Sequence, residues 1–318
     1  ERLAELYREK GDMKGIAALH DRRVRTLEKT IAQTPELKPM LASIYIELAR
    51  LFAEDLAQPE KAADAYRKAA DHNPSDVYAI YQAREALKNL GRFVDAIPYF
   101  AAEQALIVGD VERQKALYLD EADVAQKANK AADVVRALRS AREVDTTDDA
   151  GLKQQLGTIF FERAQAGTAT DAERAEGAAL FVSLAETYDG EYGHSYAVCA
   201  LGCEPGNDRA VQLAMYYGDS IGRSNETAAP AAAYLAANPS GVMADEARAL
   251  VTRVFAETGD DELLRALTPK ADAPAEVRAL AHLEIARALA QSGRKDDAAG
   301  HYEKVIQADP AHEGAVDF

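Results

Sequence analysis

The sequence predicts an all-α protein, and three observations support this. Helix-forming Ala, Leu, Glu, Arg and Lys dominate the 318 residues, and only 11 Pro and 19 Gly interrupt them. Val, Ile and Thr are not gathered into the alternating runs that form strands. Apolar residues instead recur three or four positions apart, which places them on one side of a helix.

The repeating unit is clearest near the C-terminus, in residues 281–310. The segment AHLEIARALAQSGRKDDAAGHYEKVIQADP predicts two helices that flank a turn at residues 292–294. Each helix carries one apolar stripe, formed by Ile285, Ala286 and Leu289 on the first and by Ala298, Tyr302 and Val305 on the second. Pro310 is expected to stop the second helix, because Asp309 before it is biased away from the helical conformation.

This arrangement resembles the tetratricopeptide repeat (TPR) family. In that family a large residue, Leu, a small residue and an aromatic follow one another on the first helix. Ala, an aromatic, Ala and a closing Pro follow on the second. Three further stretches carry the pattern: Tyr45, Leu48, Ala49, Phe52, Ala62, Tyr66, Ala69 and Pro74; Ile80, Ala83, Leu87, Gly91, Ala96 and Phe100; and Tyr118, Ala122, Ala125, Val134, Leu138 and Ala141.

Pro205 and Pro239 stand 34 residues apart, which is the repeat length of this family. The resemblance implies a right-handed superhelical solenoid of about eight antiparallel helix pairs. Within it, the second helix of the seventh pair is expected to be short, over residues 261–267.

The regularity of the pattern varies along the chain. We expect regular repeats in residues 1–163 and again in residues 208–318. The segment between them, 164–207, is predicted to be irregular, with an extended loop before an N-cap at Thr170 or Asp171 and a short helix near residues 195–201. A shifted or additional helix is expected there. The array is expected to continue beyond residue 318, since the last residues resemble the start of another helix.

The charge balance narrows the classes of partner. Lys and Arg number 37 against 53 Asp and Glu, which gives a net charge of −16. A surface of this sign repels phosphate backbones and anionic membranes, so we expect neither nucleic acid nor a membrane as partner. There is no visible signal peptide and no run of about 18 apolar residues. Both observations favour the cytoplasm.

Signals of catalysis are weak. The chain has no Gly-rich phosphate loop, no H-E-x-x-H and no G-x-S-x-G motif. His194, Cys199 and Cys203 are neighbours in sequence, but a structural zinc site normally needs four protein ligands. We therefore expect no enzymatic activity, no cofactor and no metal. A catalytic helical toroid is a lesser alternative, and the chain has no Trp to stack on a sugar.

The resemblance implies that a partner binds on the concave face, which the first helices of the pairs form. Carried over by register, the candidate residues are Ile46, Arg50, Tyr78, Tyr81, Gln82, Glu85, Leu119, Asp120, Asp123, Gln155 and Tyr216. Rings beside amides and acids suit an extended peptide or protein segment of basic or neutral character. The Lys/Asn set with which some relatives hold a C-terminal carboxylate has no match here.

Two alternatives stay open. Tyr78 and Tyr81 pack within the array in one interpretation and contact a partner in the other. The chain is an interaction scaffold in the first hypothesis and the regulatory or substrate-recruiting arm of a larger enzyme in the second. The sequence indicates neither the oligomeric state nor the identity of the partner.

Overall fold

The computed structural model describes residues 2–145, 147, 149–269 and 274–308. The chain divides into two compact units, unit 1 (Glu1–Asp149) and unit 2 (Ala150–Phe318). All regular structure in the described residues is helical, so the prediction of an all-α fold is confirmed. No helix in these ranges combines the length and the apolar character needed to cross a membrane.

The described residues of unit 1 form four pairs of α-helices. In chain order these are α1 (Arg2–Glu9), α2 (Met13–Thr30), α3 (Lys38–Arg50), α4 (Pro59–His72), α5 (Val77–Asn89), α6 (Phe93–Gln104), α7 (Val111–Lys127) and α8 (Ala131–Val144). A 3-10 helix (Pro35–Leu37) precedes α3, and a π-helical turn (Leu51–Asp55) follows it. Each helix packs against the next, and fully buried Leu41, Ile80, Leu87 and Phe100 lie between them. Burial of these stripes is what stabilises helices of this length.

The turn inside a pair follows one rule in both units. A residue with positive φ separates the two helices, and this residue is Gly in most pairs, such as Gly91 at φ 71° between α5 and α6. Asn129 takes the same conformation, at φ 55°, between α7 and α8. Asn is the residue that tolerates this region best after Gly, which explains why the pair survives without a Gly.

Unit 2 contains nine helices among its described residues. They are α9 (Ala150–Gln165), α10 (Asp171–Thr187), α11 (Gly190–Cys203), α12 (Asp208–Ser220), α13 (Ser224–Ala237), α14 (Ala244–Thr258), α15 (Asp261–Leu267), α16 (Ala275–Gln291) and α17 (Lys295–Ala308). The short helix predicted at residues 261–267 is confirmed as α15. Pro310 and the expected continuation of the array lie outside the described residues.

The segment 164–207 is more regular than predicted. Thr170 caps α10 as expected, since its hydroxyl accepts from the Glu173 amide at 3.2 Å while the Glu173 carboxylate accepts from the Thr170 amide at 2.9 Å. The connection before it, 166–170, is compact, and α11 has 14 residues. The predictions of an extended loop and of a short helix near 195–201 are therefore wrong. The predicted domain ranges themselves stay predictions.

The reason for this difference is the role of two glycines. Gly193 and Gly202 suggest breaks in the sequence, yet both lie inside α11. A Cβ on Gly193 would stand 2.7 Å from the Tyr217 ring, and one on Gly202 would stand 2.3 Å from the Phe161 ring. These glycines allow large aromatic rings to approach the helix, so here Gly marks close packing within a helix.

The pairing in unit 2 follows from the connections. Residues 204–207 (EPGN) resemble residues 73–76 (NPSD), which lead from the second helix of one pair to the first of the next. Both end in an N-cap: Asn207 accepts from the Ala210 amide at 3.0 Å, and Asp76 from the Tyr78 amide at 3.0 Å. The connection therefore marks α12 as the first helix of a pair. Gly167, at φ 69°, separates α9 from α10 with the turn of the other pairs, so α9, α10 and α11 together exceed one pair by one helix. With α12/α13, α14/α15 and α16/α17, the described residues contain four pairs in unit 1, three pairs in unit 2 and these three helices.

Two histidines face each other across the last described helix pair. His301 Nδ1 lies 3.2 Å from His282 Nδ1 across α16 and α17. Desolvation, with Lys304 and His282, lowers the pKa of His301 from 6.5 to about 4, and Asp297 opposes this shift. Between these values the unfolded chain binds a proton that the folded chain does not, so stability present above pH 6.5 is lost as the pH falls toward 4.

We therefore expect His301→Gln to reduce the acid sensitivity of folding. The free energy of unfolding of the wild type, followed by urea and circular dichroism, should fall between about pH 7 and about pH 5. In the variant this loss should be smaller by about 1 kcal/mol, a figure discounted for solvent screening of a partly exposed ring. Equal losses in both proteins would contradict the role given to His301.

Candidate functional site

The predicted residues of unit 1 make contacts with their own chain. The Arg50 guanidinium lies 5.0 Å from the centre of the Tyr78 ring and donates to the Tyr78 hydroxyl at 2.9 and 3.1 Å. Tyr81 is exposed on one side, and the Arg84 guanidinium covers the other at 5.3 Å. The partly buried members of the predicted set are Ile46, Gln82, Glu85, Leu119 and Asp120.

A buried charge cluster centred on Arg84 connects three helices of unit 1. The Arg84 side chain on α5 is only 6% exposed, and Nη1 donates to Asp120 Oδ2 on α7 at 2.8 Å. Its Nε lies 3.4 Å from Glu103 Oε2 on α6, and Nη2 lies 3.3 Å from Glu85 Oε1. Lys88 Nζ completes the cluster, at 2.7 Å from Asp120 and 3.0 Å from Glu85.

Further contacts compensate the remaining buried acids. Arg113 Nη2 donates to Glu103 Oε1 at 3.2 Å. The fully buried Glu121 on α7 accepts from Gln104 Nε2 at 2.8 Å and pairs with Arg136 on α8. Burial lowers the pKa of Lys88, but hydrogen bonds with Asp120 and Glu85 outweigh it, so the net direction is upward. Each buried carboxylate of this cluster therefore has a cation beside it.

Sequence reasoning missed Arg84 and Glu103, although a signal exists. The turn residue is Gly91 in the pair α5/α6 and Asn129 in the pair α7/α8. Counted from these two residues, Arg84 and Glu103 occupy the same positions as the buried Ala122 and Ala141 of the next pair. An Arg and a Glu that replace two small interior residues of the same pair indicate an ion pair inside it, because a buried charge needs a partner.

The acids predicted on the face of unit 1 are consequently compensated by the chain itself. Asp120 contacts both Arg84 and Lys88. Asp123, which is exposed, pairs with Lys127 at 2.6 Å one helical turn away. The structure thus brings Tyr81, Glu85 and Asp120 together around Arg84, and it leaves Asp123 in a separate surface pair.

Unit 2 has a groove that runs along α10, α12, α14 and α16. Cleft 1, between α10 and α12, is lined by Glu186, Asp189, Arg209, Gln212, Leu213, Tyr216 and Tyr217. Cleft 2, between α12 and α14, is lined by Gln212, Met215, Tyr216, Asp219, Ser220, Ser224, Met243, Glu246, Ala249, Leu250 and Arg253. Cleft 3, between α14 and α16, is lined by Ala249, Thr252, Arg253, Ala256, Glu257, Glu284 and Gln291.

The three clefts are continuous. Gln212 and Tyr216 line both of the first two clefts, and Ala249 and Arg253 line both of the last two. Their volumes are about 470, 630 and 500 Å³ in this order. Such a surface accommodates an extended chain better than a small molecule, because a small-molecule site encloses most of its ligand.

Among the predicted site residues, Tyr216 is the one that lines this groove. Its side chain is exposed at 67%, and its ring packs edge-on against buried Tyr217 at 5.2 Å. Gln155, also predicted, is exposed on α9 and lines none of the three clefts.

The groove is acidic. Six carboxylates line the three clefts, and two arginines accompany them. Arg209 is firmly held: Nε and Nη2 both contact Glu186 Oε1 at 2.8 Å, and Nη1 donates to Gln212 Oε1 at 2.7 Å. Arg253 is held loosely, with Nη2 at 3.9 Å from Asp219 Oδ1. The lining therefore carries a surplus of negative charge.

The cysteine and histidine neighbourhood has a structural arrangement. His194 Nε2 lies 2.8 Å from Thr227 Oγ1 in the interior of unit 2. Burial, with Cys199 and Glu204, raises the pKa of the Cys203 thiol to about 12, which disfavours the thiolate. Among the residues described here, no three His, Cys, Asp or Glu side chains are arranged to hold a metal ion.

The packing defines the class of the molecule as an all-α protein built of repeated helix pairs. No protein-family model and no curated protein matches the sequence. Solved structures that it resembles include YrrB, described as a TPR protein with an unusual peptide-binding site (14% identity, 91% of this chain and 95% of that one, TM-score 0.26). At this score the likeness carries no weight beside the packing itself.

Two further structures are similar in the same limited sense. One is the Naa15/Naa10 complex bound to HypK-THB, at 13% identity over 97% of this chain and 58% of that one, with a TM-score of 0.34. The other is the C-terminal part of a TPR repeat-containing protein from Cytophaga hutchinsonii, at 15% identity over 99% and 98%, with a TM-score of 0.29.

The charge cluster of unit 1 leads to a prediction about stability. Arg84→Ala should lower the free energy of unfolding by about 3 kcal/mol, because it leaves the acids around it with less compensation. Arg84→Ala with Glu103→Ala should cost less than the sum of the two single changes, since it recreates the Ala pair of α7/α8. Urea unfolding of the four proteins provides the measurement. Additive losses would show that the two side chains do not act as a pair.

Proposed function

We propose that this chain is a non-catalytic protein-interaction scaffold, which binds a basic or neutral segment of a partner protein along the first helices of its repeats. The groove of unit 2 is the principal site. The carrying observation is the exposed Tyr216 ring, which stands beside Gln212 and Asp219 at the junction of two continuous clefts.

The chemistry of the groove supports recognition of a segment of chain. The Tyr216 ring supplies apolar area at a small loss of side-chain entropy. The amides of Gln212 and Gln291 offer donors and acceptors that match a peptide backbone. The surplus of carboxylates attracts positive charge and repels acidic segments.

The same charge argument bears on the class of partner. With a net charge of −16, association with nucleic acid or with an anionic membrane would be opposed at long range. The cytoplasm, which is also the expectation from the sequence, is the compartment that we propose.

A peptide selection tests this function directly. Random peptides displayed on phage are selected on the whole chain, and enriched sequences are synthesised and titrated by fluorescence anisotropy. We expect enrichment of Lys, Arg and uncharged residues over Asp and Glu. Tyr216→Ala should weaken binding about tenfold, because an exposed aromatic anchor contributes about 1.4 kcal/mol or more.

Tyr192→Ala is the matched control. Tyr192 is equally exposed, at 70%, but lies on α11 outside the three clefts. Its replacement should leave the affinity unchanged. Selected peptides that bind both variants as tightly as the wild type, or a selection dominated by acidic peptides, would overturn the proposal.

The face of unit 1 remains a predicted contributor to binding. Tyr81→Ala combined with Asp123→Ala is expected to weaken capture of those selected peptides that bind independently of Tyr216, without loss of helicity, because it removes an exposed ring and an exposed acid. Circular dichroism monitors the helices and anisotropy the affinity. An unchanged affinity would restrict the binding site to unit 2.

A further inference from the structure

Arg253 has an unusual place in the groove of unit 2. It extends from α14 and lines both cleft 2 and cleft 3, with a side chain that is 54% exposed. Among the residues that line these two clefts it is the only cation, and the acids around it are Asp219, Glu246, Glu257 and Glu284. Arg253 therefore stands where the groove would attract a cation from outside.

The attachment of Arg253 is weak. Its Nη2 atom lies 3.9 Å from Asp219 Oδ1 on α12, which exceeds hydrogen-bond range. Asp219 is itself loosely held, since the Ser224 hydroxyl donates to its Oδ1 at the long distance of 3.4 Å. An exposed pair of this length contributes little to stability, so its exchange for another pair costs little. Arg209 in cleft 1 differs, because two of its nitrogens contact Glu186 at 2.8 Å.

Tyr216 provides the second half of a cation site. It precedes Asp219 by three residues on α12, so the ring and the carboxylate are neighbours on one face of the helix. Both line cleft 2, across from Glu246 on α14. A Lys or Arg side chain at this place would meet the face of an exposed ring and two carboxylates at once, an arrangement that favours a cation over a neutral group.

We propose that Arg253 is an internal competitor for this site, and that a Lys or Arg side chain of the bound segment displaces it from Asp219 and packs on Tyr216. This inference rests on the proposed function and specifies it: the partner segment presents a cation to cleft 2. The displaced guanidinium remains free to turn toward Glu257 and Glu284 in cleft 3.

The test uses the full chain and a defined probe. The probe is a fluorescein-labelled peptide of alternating Arg and Gly, about nine residues long, because an extended chain of about 30 Å spans helices that pack about 10 Å apart. A second peptide with Gln in place of Arg is the neutral comparison. Titrations are followed by anisotropy at about 50 mM salt, where screening is modest.

Arg253→Gln should bind the Arg peptide about threefold to tenfold more tightly than the wild type, because the competitor is gone. Arg248→Gln is the matched control for net charge: Arg248 lies on the same helix, pairs with Asp245 at 2.9 Å and lines none of the clefts. It should change the affinity by less than about twofold. In an Asp219→Asn background, the gain from Arg253→Gln should vanish.

The outcomes are distinguishable. Weaker binding by Arg253→Gln would show that Arg253 contacts the ligand, and an equal gain from Arg248→Gln would reduce the effect to overall charge; either result overturns the inference. If the Arg peptide binds in a Tyr216-dependent way but is indifferent to Arg253, the proposed function stands and the displacement does not. If Tyr216→Ala changes the affinity of no peptide, including the phage-selected ones, the proposed function itself is wrong.

Discussion

The close crossing of helices at small residues is the constraint on which the rest of the structure depends. A helix pair buries its apolar stripe only against its neighbours, so the distance between helices sets how much surface is removed from water. Ala49, Ala83 and Ala125 are fully buried at such crossings. In unit 2 the crossings are tighter still: a Cβ on Gly218 would stand 2.2 Å from Thr227 Oγ1. This spacing leaves the outward positions of the first helices available for other chemistry.

The pair α5/α6 departs from the use of small residues at helix crossings, and this departure changes the charge of the surface above it. Arg84 and Glu103 stand at positions that hold Ala in the next pair, and a guanidinium between the Tyr81 and Phe100 rings cannot remain without carboxylates. Asp120 and Glu85 supply them. As a consequence Asp120, an acid on the predicted binding face, compensates the charge of the buried Arg84. The interior of unit 1 thus determines the charge that its surface can offer.

Much of the fold could be predicted from the sequence, for a physical reason. Helical periodicity, Gly at the turns and Pro after the second helices are local signals, and each is repeated along the chain. They predicted the all-α class and the α15 bounds. The segment 164–207 was misjudged because Gly193 and Gly202 serve long-range contacts with Tyr217 and Phe161, which the local sequence does not show. Arg84 was missed because a buried cation is recognised by its partners, and these lie on other helices.

The candidate site follows the same division between local and long-range information. Register alone places Tyr216 on the concave face of a first helix, which stays a prediction, and the structure has its side chain exposed at 67% on α12. Register alone cannot show which acids remain available, because compensation comes from neighbouring helices. Arg84 and Lys88 form ion pairs with Asp120 in unit 1, and Arg209 forms an ion pair with Glu186 in cleft 1. In cleft 2 the cation opposite Asp219 is 3.9 Å away and half-exposed. The strength with which a chain holds its own counter-ions therefore decides which of its acidic groups remain available, and in unit 2 these lie beside Tyr216, where we propose that the partner binds.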